Sequence, residues 1–467
     1  MCCSSGYVDD VILGTEDNVT LDQLIKYASK LLGLFNYQFK DVDFCFQPFT
    51  TNTETLNDKG ELSVCGYLWK PSTDTFRIKP PSFTNGKKFR GKINPPTNPD
   101  KKSNQIVQPE FVFETLEKWE QFTPEYINGI LESVTKSLRV IVSLASTPFD
   151  TLGLHTACMS QVRHTVSTCV KLACGIWEEQ IPTQLWDFFL EQLIELHKVS
   201  LYEFPRFPDK AISKNGTLEL LVISDASNSI IVNCYLIYPT SSGNKTASLI
   251  THKSYLAAES LSLPRRELQG VAFGAILTHK IVTELGNLIS KVYLCTDSKV
   301  AVFWVISNTD KPMNIFVKNR CDIIRSNLNM AAESLHKIHI SEEINSEAAI
   351  NMPSPMEYEK VLHWVPSNFN SADVGTKYAT FDTVNNKPGA GKIISHTECS
   401  PTSAHYVGLP WMQNIGLAIS TNMIKSAEKI KQQEKVGEDD KDIFETGFKK
   451  SKIQKLKKKG KFCSGQY

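Results

Sequence analysis

The sequence predicts an α/β protein whose main domain, residues 217–380, has a mixed sheet with flanking helices. Three observations predict this fold class. Three short β-branched runs follow residue 217, namely "LELLVISDAS", "SIIVNCYLIYP" and "SLITHKSYLA". Helical and strand-like patterns then alternate to residue 380. A helical region comes before this domain and ends at the two prolines of "YEFPRFPDK". Antiparallel strands followed by alternating helices and strands are typical of a mixed sheet in an α/β layer.

The later elements of this domain follow from the spacing of its apolar residues. Recurrence at i, i+3 and i+4 predicts helices at 264–285 and 299–307 and in "NIFVKNRCDIIRSNL". The segments "KVYLCTDS" and "KVLHWVPS" predict two further strands, and "NSADVGTK" predicts the start of a last helix. Residues 341–358 are polar, and we expect them to form an inserted loop.

Four other regions complete the predicted organisation. Residues 1–82 contain a strand-turn-strand pattern in "GYVDDVILG", a helix in "NVTLDQLIKYASKLLGLF" and two strands in "ELSVCGYLWKPSTDTFRI". Residues 83–110 are rich in Pro, Lys and Asn, which predicts a linker. Residues 111–205 show helical recurrence of apolar residues. We expect residues 381–467 to form a weakly ordered C-terminal extension that ends in a basic tail.

Composition bounds the environment of the chain. Its 467 residues are 41% hydrophobic and 22% charged, which is typical of a globular protein with several domains. Twelve scattered cysteines without a C-x-x-C pair indicate a reduced, intracellular setting, either cytoplasmic or nuclear. No apolar run reaches the length of a membrane span, so we expect no membrane association. Eight lysines follow Phe448 and predict phosphate binding, nuclear import or only a solvated extension.

Four acidic residues of the main domain stand where an acid is locally unfavourable. Asp225 and Asp297 end apolar strands, Glu267 lies in the predicted first turn of a helix, and Asp373 opens the last helix. Each alone fits a turn, a cap or a helix start. Their order, S-D-A-S, R-R-E-L, T-D-S and N-x-A-D, instead favours one shared site. Converging carboxylates repel one another unless a cation neutralises them, and magnesium prefers such oxygen ligands.

Several motifs resemble one known family. The segments "VISDAS", "SLPRRELQGVAFGAIL", "VYLCTDSKVAVFWV" and "HWVPSNFNSADVGTK" resemble the ribonuclease H domain of BEL/Pao-type LTR retrotransposon Pol polyproteins. Upstream, "YVDD" resembles the reverse transcriptase palm signature, and "SLASTPFDTLG" resembles the connection. The resemblance covers roughly residues 6–380. It implies a ribonuclease H-like mixed sheet with flanking helices, preceded by a truncated α+β reverse transcriptase palm remnant and a helical connection.

The resemblance also implies an activity, which is metal-dependent hydrolysis of the RNA strand of RNA–DNA hybrids. Asp225, Glu267, Asp297 and Asp373 would be the catalytic residues and would hold two Mg²⁺ ions, for which Mn²⁺ is expected to substitute. Asp225 would bridge both ions. Asn370 is expected to orient the nucleophile or contact the substrate. The implied partners are an RNA–DNA hybrid or another nucleic acid, and other Pol subunits encoded by the same element.

The opening motif carries a second set of acids. By the same resemblance, Asp9 and Asp10 are vestigial metal ligands of a polymerase site. Eight residues before Asp9 leave no room for the strand that carries the third ligand, so we expect this chain not to polymerise DNA, unlike the full-length polyprotein. The family region also carries a peptidase label, but the sequence has no D-[ST]-G signature. Two alternatives stay open: a non-catalytic nucleic-acid-binding relic, and an inactive subunit of a reverse transcriptase.

Overall fold

The structure, a computed structural model, describes most of the main domain and parts of the preceding regions. Its longer described stretches are 60–79, 135–146, 148–206, 218–239, 245–307, 314–342 and 361–403. Shorter described stretches are 6–7, 10–11, 18–34, 45–46, 50–51, 125 and 358. Contacts group residues 1–415 in one unit and 416–467 in a second, and the second unit lies outside the described residues. The basic tail therefore stays a prediction.

The N-terminal region contains short paired strands and one helix. The elements are β1 (Gly6–Tyr7), β2 (Asp10–Val11), α1 (Asn18–Gly33), β3 (Cys45–Phe46), β4 (Thr50–Thr51), β5 (Leu62–Val64), β6 (Tyr67–Lys70) and β7 (Thr75–Ile78). Strands β1 and β2 pair antiparallel, as the strand-turn-strand pattern predicts. In the β5–β7 sheet, Arg77 Nε donates to Glu61 Oε1 at 2.7 Å, and both side chains are buried.

A helical region follows and is joined to that small sheet. It contains α2 (Leu138–Ala145), α3 (Thr156–Leu172), α4 (Thr183–Lys198) and the short strand β8 (Phe204–Pro205). Strand β8 pairs antiparallel with β7, so the chain that leaves α4 completes a four-stranded sheet. Trp186 and Phe189 of α4 are fully buried, which accounts for the apolar recurrence in this part of the sequence.

A five-stranded mixed sheet forms the centre of the main domain. Its strands are β9 (Leu218–Ala226), β10 (Ser229–Pro239), β11 (Lys245–Leu256), β12 (Ile289–Thr296) and β13 (Leu362–Trp364). The strand order is β11-β10-β9-β12-β13, with β9, β10 and β11 antiparallel and β12 parallel to both β9 and β13. The predicted α/β fold with a mixed sheet and flanking helices is therefore confirmed.

Three helices alternate with the later strands. They are α5 (Leu263–Leu285), α6 (Lys299–Ile306) and α7 (Ile315–Glu342). Their apolar residues cover one face of the sheet, where Leu220, Val222, Val232 and Leu294 belong to one buried cluster. Among the described parts of the chain, no helix combines the length and the apolar composition that crossing a bilayer requires.

Helix α3 packs on the opposite face of the sheet. Thr156 Oγ1 donates to the carbonyl oxygen of His252 in β11 at 3.2 Å. The loop before α3 is equally close, because the backbone amide of His252 donates to Leu152 O at 2.9 Å. At Gly153, φ is +87° and an added Cβ would lie 1.8 Å from His252 O, so only glycine permits this approach. The predicted boundary near residue 210 stays a prediction, but α3 and the sheet are in direct contact.

The structure differs from two expectations about the end of the chain. Residues 371–375 form a 3₁₀ turn where "NSADVGTK" predicts the start of a helix. Residues 381–403 were expected to be weakly ordered, yet they contain β14 (Phe381–Asp382), β15 (Lys387–Pro388) and a 3₁₀ turn at His396–Cys399. Ile394 is fully buried, and Gln161 of α3 bonds to both its amide (2.8 Å) and its carbonyl (3.0 Å). Contacts from a distant helix order this segment, and local sequence patterns do not show them.

Candidate functional site

Two of the four predicted acids lie at the same end of neighbouring parallel strands. Asp225 is the penultimate residue of β9, and Asp297 directly follows β12. The register pairs Ser224 with Thr296, so the two aspartates each come one residue after a paired position. Since adjacent strands are about 4.8 Å apart, both carboxylates reach the same edge of the sheet.

Glu267 reaches this edge from helix α5. It is the fifth residue of the helix and so lies one residue after the first turn. The predicted first-turn position is therefore wrong by one residue. The helix comes close to the end of β9 at Gly270, where an added Cβ would lie 3.3 Å from Ile230 and 3.7 Å from Asp225 O. Burial raises the pKa of Glu267, a hydrogen bond with Ser298 lowers it, and the charge of Asp297 raises it further. Glu267 and Asp297 are therefore close enough to interact.

Asp373 is brought to the edge by the 3₁₀ turn Ser371–Gly375. Thr376 follows this turn, and its single hydroxyl proton is shared between Asp225 Oδ2 and Asp373 O. Lys377 Nζ lies 2.5 Å from Asp373 Oδ2, in a pair whose lysine is 65% exposed. The turn thus joins Asp373 to the end of β9, and the chain directly after it places the Lys377 ammonium group beside Asp373.

The pKa of Asp225 is shifted by burial and by the charges of the neighbouring acids. The pKa of Asp225 is raised to about 7, and burial is the largest cause of this shift. The hydrogen bond from Thr376 opposes this shift, while the charges of Asp297 and Asp373 add to it. Asp225 is 8% exposed, so little water screens these repulsions. The structure therefore brings Asp225 together with both other aspartates, and Asp297 with Glu267.

The donor set fits a hard divalent cation. Asp297 Oδ1 is buried and has no hydrogen-bond partner among the residues that the structure describes, which leaves one carboxylate oxygen at the site uncompensated there. In the described part of the chain, no three His, Cys, Asp or Glu side chains are arranged to hold a single ion. Magnesium does not require three, since it usually binds through one or two carboxylates together with water and substrate phosphates. Asp225 with Asp297, and Asp225 with Asp373, are pairs of carboxylates close enough for their charges to interact.

Asn370 is held by hydrogen bonds within the protein. Its side chain is buried, with 3% exposure. The amide Nδ2 donates to Ser224 O at 3.1 Å, and Oδ1 accepts from the backbone amide of Ala372 at 3.1 Å. Asn370 therefore caps the turn that carries Asp373 and ties it to β9. Its contact with substrate stays a prediction.

Three neighbours of the acids were missed by sequence reasoning. Thr376 and Lys377 stand in the quoted motif "NSADVGTK", and Ser298 follows Asp297. Ser298 directly follows Asp297, and Thr376 and Lys377 lie three and four residues after Asp373, so polar side chains close to the acids were the available signal. For the opening motif, Tyr7 pairs with Asp10 in the β1–β2 hairpin, but Asp9 and the Asp10 side chain lie outside the described residues. The vestigial polymerase ligands therefore stay a prediction.

One family matches this chain. Residues 137–298 match the model of the family described as Pao retrotransposon-like RNaseH-like domain. This part of the chain is similar to a Pao retrotransposon-like, RNase H-like domain, which confirms the resemblance to a BEL/Pao Pol fragment. The matched residues include helices α2–α4 and the first three acids, whereas Asp373 lies beyond them. No curated protein matches the chain. The family match supports a nuclease-like function and an interaction with nucleic acid.

Proposed function

We propose that the chain is a ribonuclease H-type endonuclease that hydrolyses the RNA strand of RNA–DNA hybrids with two magnesium ions. The observation that carries the proposal is that Asp225 and Asp297 stand at the same end of paired parallel strands, with Asp373 joined to that end through Thr376. The raised pKa of Asp225, to which burial, Asp297 and Asp373 contribute, supports it. Buried carboxylates repel one another, and a divalent cation bound among them offsets this repulsion. The matched family supports the same reaction class.

The proposed roles follow from the position of each acid. The charge of Asp225 interacts with those of both other aspartates, so Asp225 is the candidate ligand shared by both ions. Glu267 and Asp297 complete one side, and Asp373 completes the other. When bound, two Mg²⁺ ions supply an activated water and stabilise the leaving oxygen of a phosphodiester. Manganese has the same preference for oxygen ligands and is proposed to substitute.

Lys377 also has a role in this proposal. Its hydrogen bond to Asp373 raises the pKa of the ammonium group, burial lowers it, and the charges of Asp373, Asp225 and Asp297 raise it further. An ammonium group beside acids compensates part of their charge while no divalent ion is bound. Recognition of the hybrid would depend on phosphate contacts and on the 2′-hydroxyls of the RNA strand.

A cleavage assay with matched variants tests the proposal. The full chain is incubated with a labelled RNA–DNA hybrid and Mg²⁺, beside Asp297→Asn and the control Asp187→Asn, which changes an exposed acid of α4. We expect the parent and the control to cleave the RNA strand and Asp297→Asn to be slower by about 10³-fold.

Two results would contradict the proposal. Asp297→Asn could cleave as fast as the control, or a folded parent could bind the hybrid without cleaving it. The second result would favour the alternative of a non-catalytic nucleic-acid-binding relic. Circular dichroism of all three proteins establishes that each is folded before the rates are compared.

A further inference from the structure

We propose that helix α3 is part of the nuclease site and that Ser160 is a positioning residue for the turn that carries Asp373. This inference rests on the proposed function and assigns a role to a helix that comes before the whole sheet. It is carried by hydrogen bonds and close packing between α3 and residues 371–378.

The turn with Asp373 needs support from other elements. It is a single 3₁₀ segment of five residues, Ser371–Gly375. A five-residue 3₁₀ turn makes few hydrogen bonds of its own, and its geometry is less favourable than that of an α-helix. Its position over β9 and β10 must therefore come from side chains that contact it.

Ser160 of α3 makes one of these contacts. Its Oγ lies 2.6 Å from Gly375 O and 2.7 Å from Ala157 O. The side chain of Ser160 is 1% exposed, so water does not compete for its single hydroxyl proton, which is shared between these two carbonyl oxygens. The acceptor is the last residue of the turn, two positions after Asp373. Removing the hydroxyl would leave a buried carbonyl without this donor.

Gly375, whose carbonyl accepts from Ser160, is also closely packed on two sides. An added Cβ on Gly375 would lie 2.9 Å from Ile231 Cγ1 of β10 and 3.6 Å from the Cα of Ala157 in α3. The turn is thus confined between the sheet and the helix, with no room for a side chain. A shift of α3 would therefore move Gly375, and with it Asp373 and Thr376.

Helix α3 is itself fixed to the sheet, so it can transmit this restraint. Thr156 bonds to His252 O at 3.2 Å, and Arg163 Nη1 donates to Ser254 Oγ at 2.8 Å. Downstream of the turn, His164 of α3 packs edge-on against Tyr378, with ring centroids 5.6 Å apart. Tyr378 in turn shares a 2.6 Å hydrogen bond with Ser229. The helix contacts both ends of the 375–378 segment.

A purely structural role for Ser160 would give a different result from a positioning role. Thr165 provides the matched control, because it is a buried hydroxyl of the same helix whose Oγ1 donates to Gln192 Oε1 of α4 at 2.7 Å. Thr165→Val removes a buried hydroxyl of α3 without touching the turn. Both variants are expected to lower global stability, but only Ser160→Ala should loosen residues 371–378.

The experiment uses the full chain and two readouts. Amide hydrogen exchange is measured without metal or substrate, where we expect Ser160→Ala to speed exchange about 10-fold in residues 371–378 and Thr165→Val to leave it unchanged. Hybrid cleavage is then measured, where Ser160→Ala should lower kcat about 10-fold with KM within about twofold, since a small misplacement near reacting groups slows the chemical step.

The two readouts separate this inference from the proposed function. Equal exchange at 371–378 in both variants would overturn the positioning role, whatever the activity. Faster exchange in Ser160→Ala with unchanged kcat would overturn the role of α3 in the nuclease site. A parent without nuclease activity would refute the proposed function and the catalytic half of this inference together, while the exchange result would still decide how the turn is held.

Discussion

The two faces of the central sheet are built in different ways. On the α5 and α7 face, apolar side chains such as Leu220, Val232 and Leu294 pack into one cluster against helices that follow in sequence. On the α3 face, hydrogen bonds join residues that are far apart in the chain. Those from Thr156, Ser160 and Gln161 span 96, 215 and 233 positions. The first face is specified by periodicity, and the second by individual polar contacts.

This difference explains where the acids can meet. Side chains alternate along a strand, which puts Asp225 on the same face as Leu221 and Ile223, opposite Leu220 and Val222. The α3 face tolerates polar groups, as the buried Asn233 shows through its 3.2 Å hydrogen bond to Ser371 Oγ. The α3 face therefore surrounds Asp225 with polar groups, whereas Glu267 reaches the site from α5 on the apolar face.

The largest effect is expected from a substitution at Gly153, where the loop before α3 comes closest to the sheet. Gly153→Ala would bring Cβ against His252 O at a residue whose φ is +87°, so we expect a loss of more than about 4 kcal/mol in the free energy of unfolding. Gly175→Ala is the control, since its φ is +76° but nothing lies within 4 Å; it should lose only about 1 kcal/mol. Urea unfolding followed by circular dichroism measures both. Equal losses would mean that the close approach does not hold this face.

The next effect concerns Asp225 and depends on pH. Its pKa is about 7 in the folded chain against an ordinary value of 3.8, so the unfolded chain releases the proton first as pH rises. The parent should therefore lose stability between about pH 4 and pH 7, by on the order of 4 kcal/mol. With a chelator present, Asp225→Asn should be more stable than the parent at pH 8, and the difference should shrink towards pH 4. A difference that stays constant across this window would refute the shifted pKa.

A smaller loss is expected on the apolar face. Leu294 is fully buried, and Leu294→Ala should lower the free energy of unfolding by about 3 kcal/mol through lost burial and a cavity. Val384→Ala, at a residue with 90% exposure, should change it by less than about 0.5 kcal/mol. If the two faces are independent, Leu294→Ala should keep the pH dependence that Asp225 produces in the parent. Loss of that dependence would show that the faces are coupled.

The smallest effect distinguishes two roles of Asn370. Because its side chain caps the Asp373 turn and bonds to Ser224 O, Asn370→Ala should cost about 1 kcal/mol. If the proposed nuclease is active, kcat should fall while KM for the hybrid changes little. A raised KM with unchanged kcat would instead support the substrate contact that the resemblance implies. Steady-state cleavage kinetics separate these outcomes.

Much of the main domain could be predicted from the sequence. Residues 264–285 were predicted to be helical, and α5 spans Leu263–Leu285 because apolar residues recur at helical spacing along it. The three β-branched runs became β9, β10 and β11 for the same kind of local reason. The positions of Asp225 and Asp297 at strand ends followed from these elements. None of this required knowledge of distant contacts.

The predictions that were wrong concern residues whose structure depends on contacts with distant parts of the chain. Residues 381–403 look polar and irregular, yet Phe381 packs against Phe188 of α4 with ring centroids 5.7 Å apart, and Ile394 is fully buried. The contribution of α3 to the site was likewise hidden, because Ser160 and Gly375 carry no pattern that links them. A single serine in a helix has no periodicity from which its partner could be inferred.

The sequence by itself determined the α/β fold class, most strands and helices of the main domain, and the positions of Asp225 and Asp297 at strand ends. Only the tertiary structure decided which helix covers the second face, what holds the Asp373 turn and that the pKa of Asp225 is raised. The physical reason is that periodic burial is encoded in neighbouring residues, whereas hydrogen bonds across more than 200 positions and the repulsion between converging charges exist only after the chain has folded.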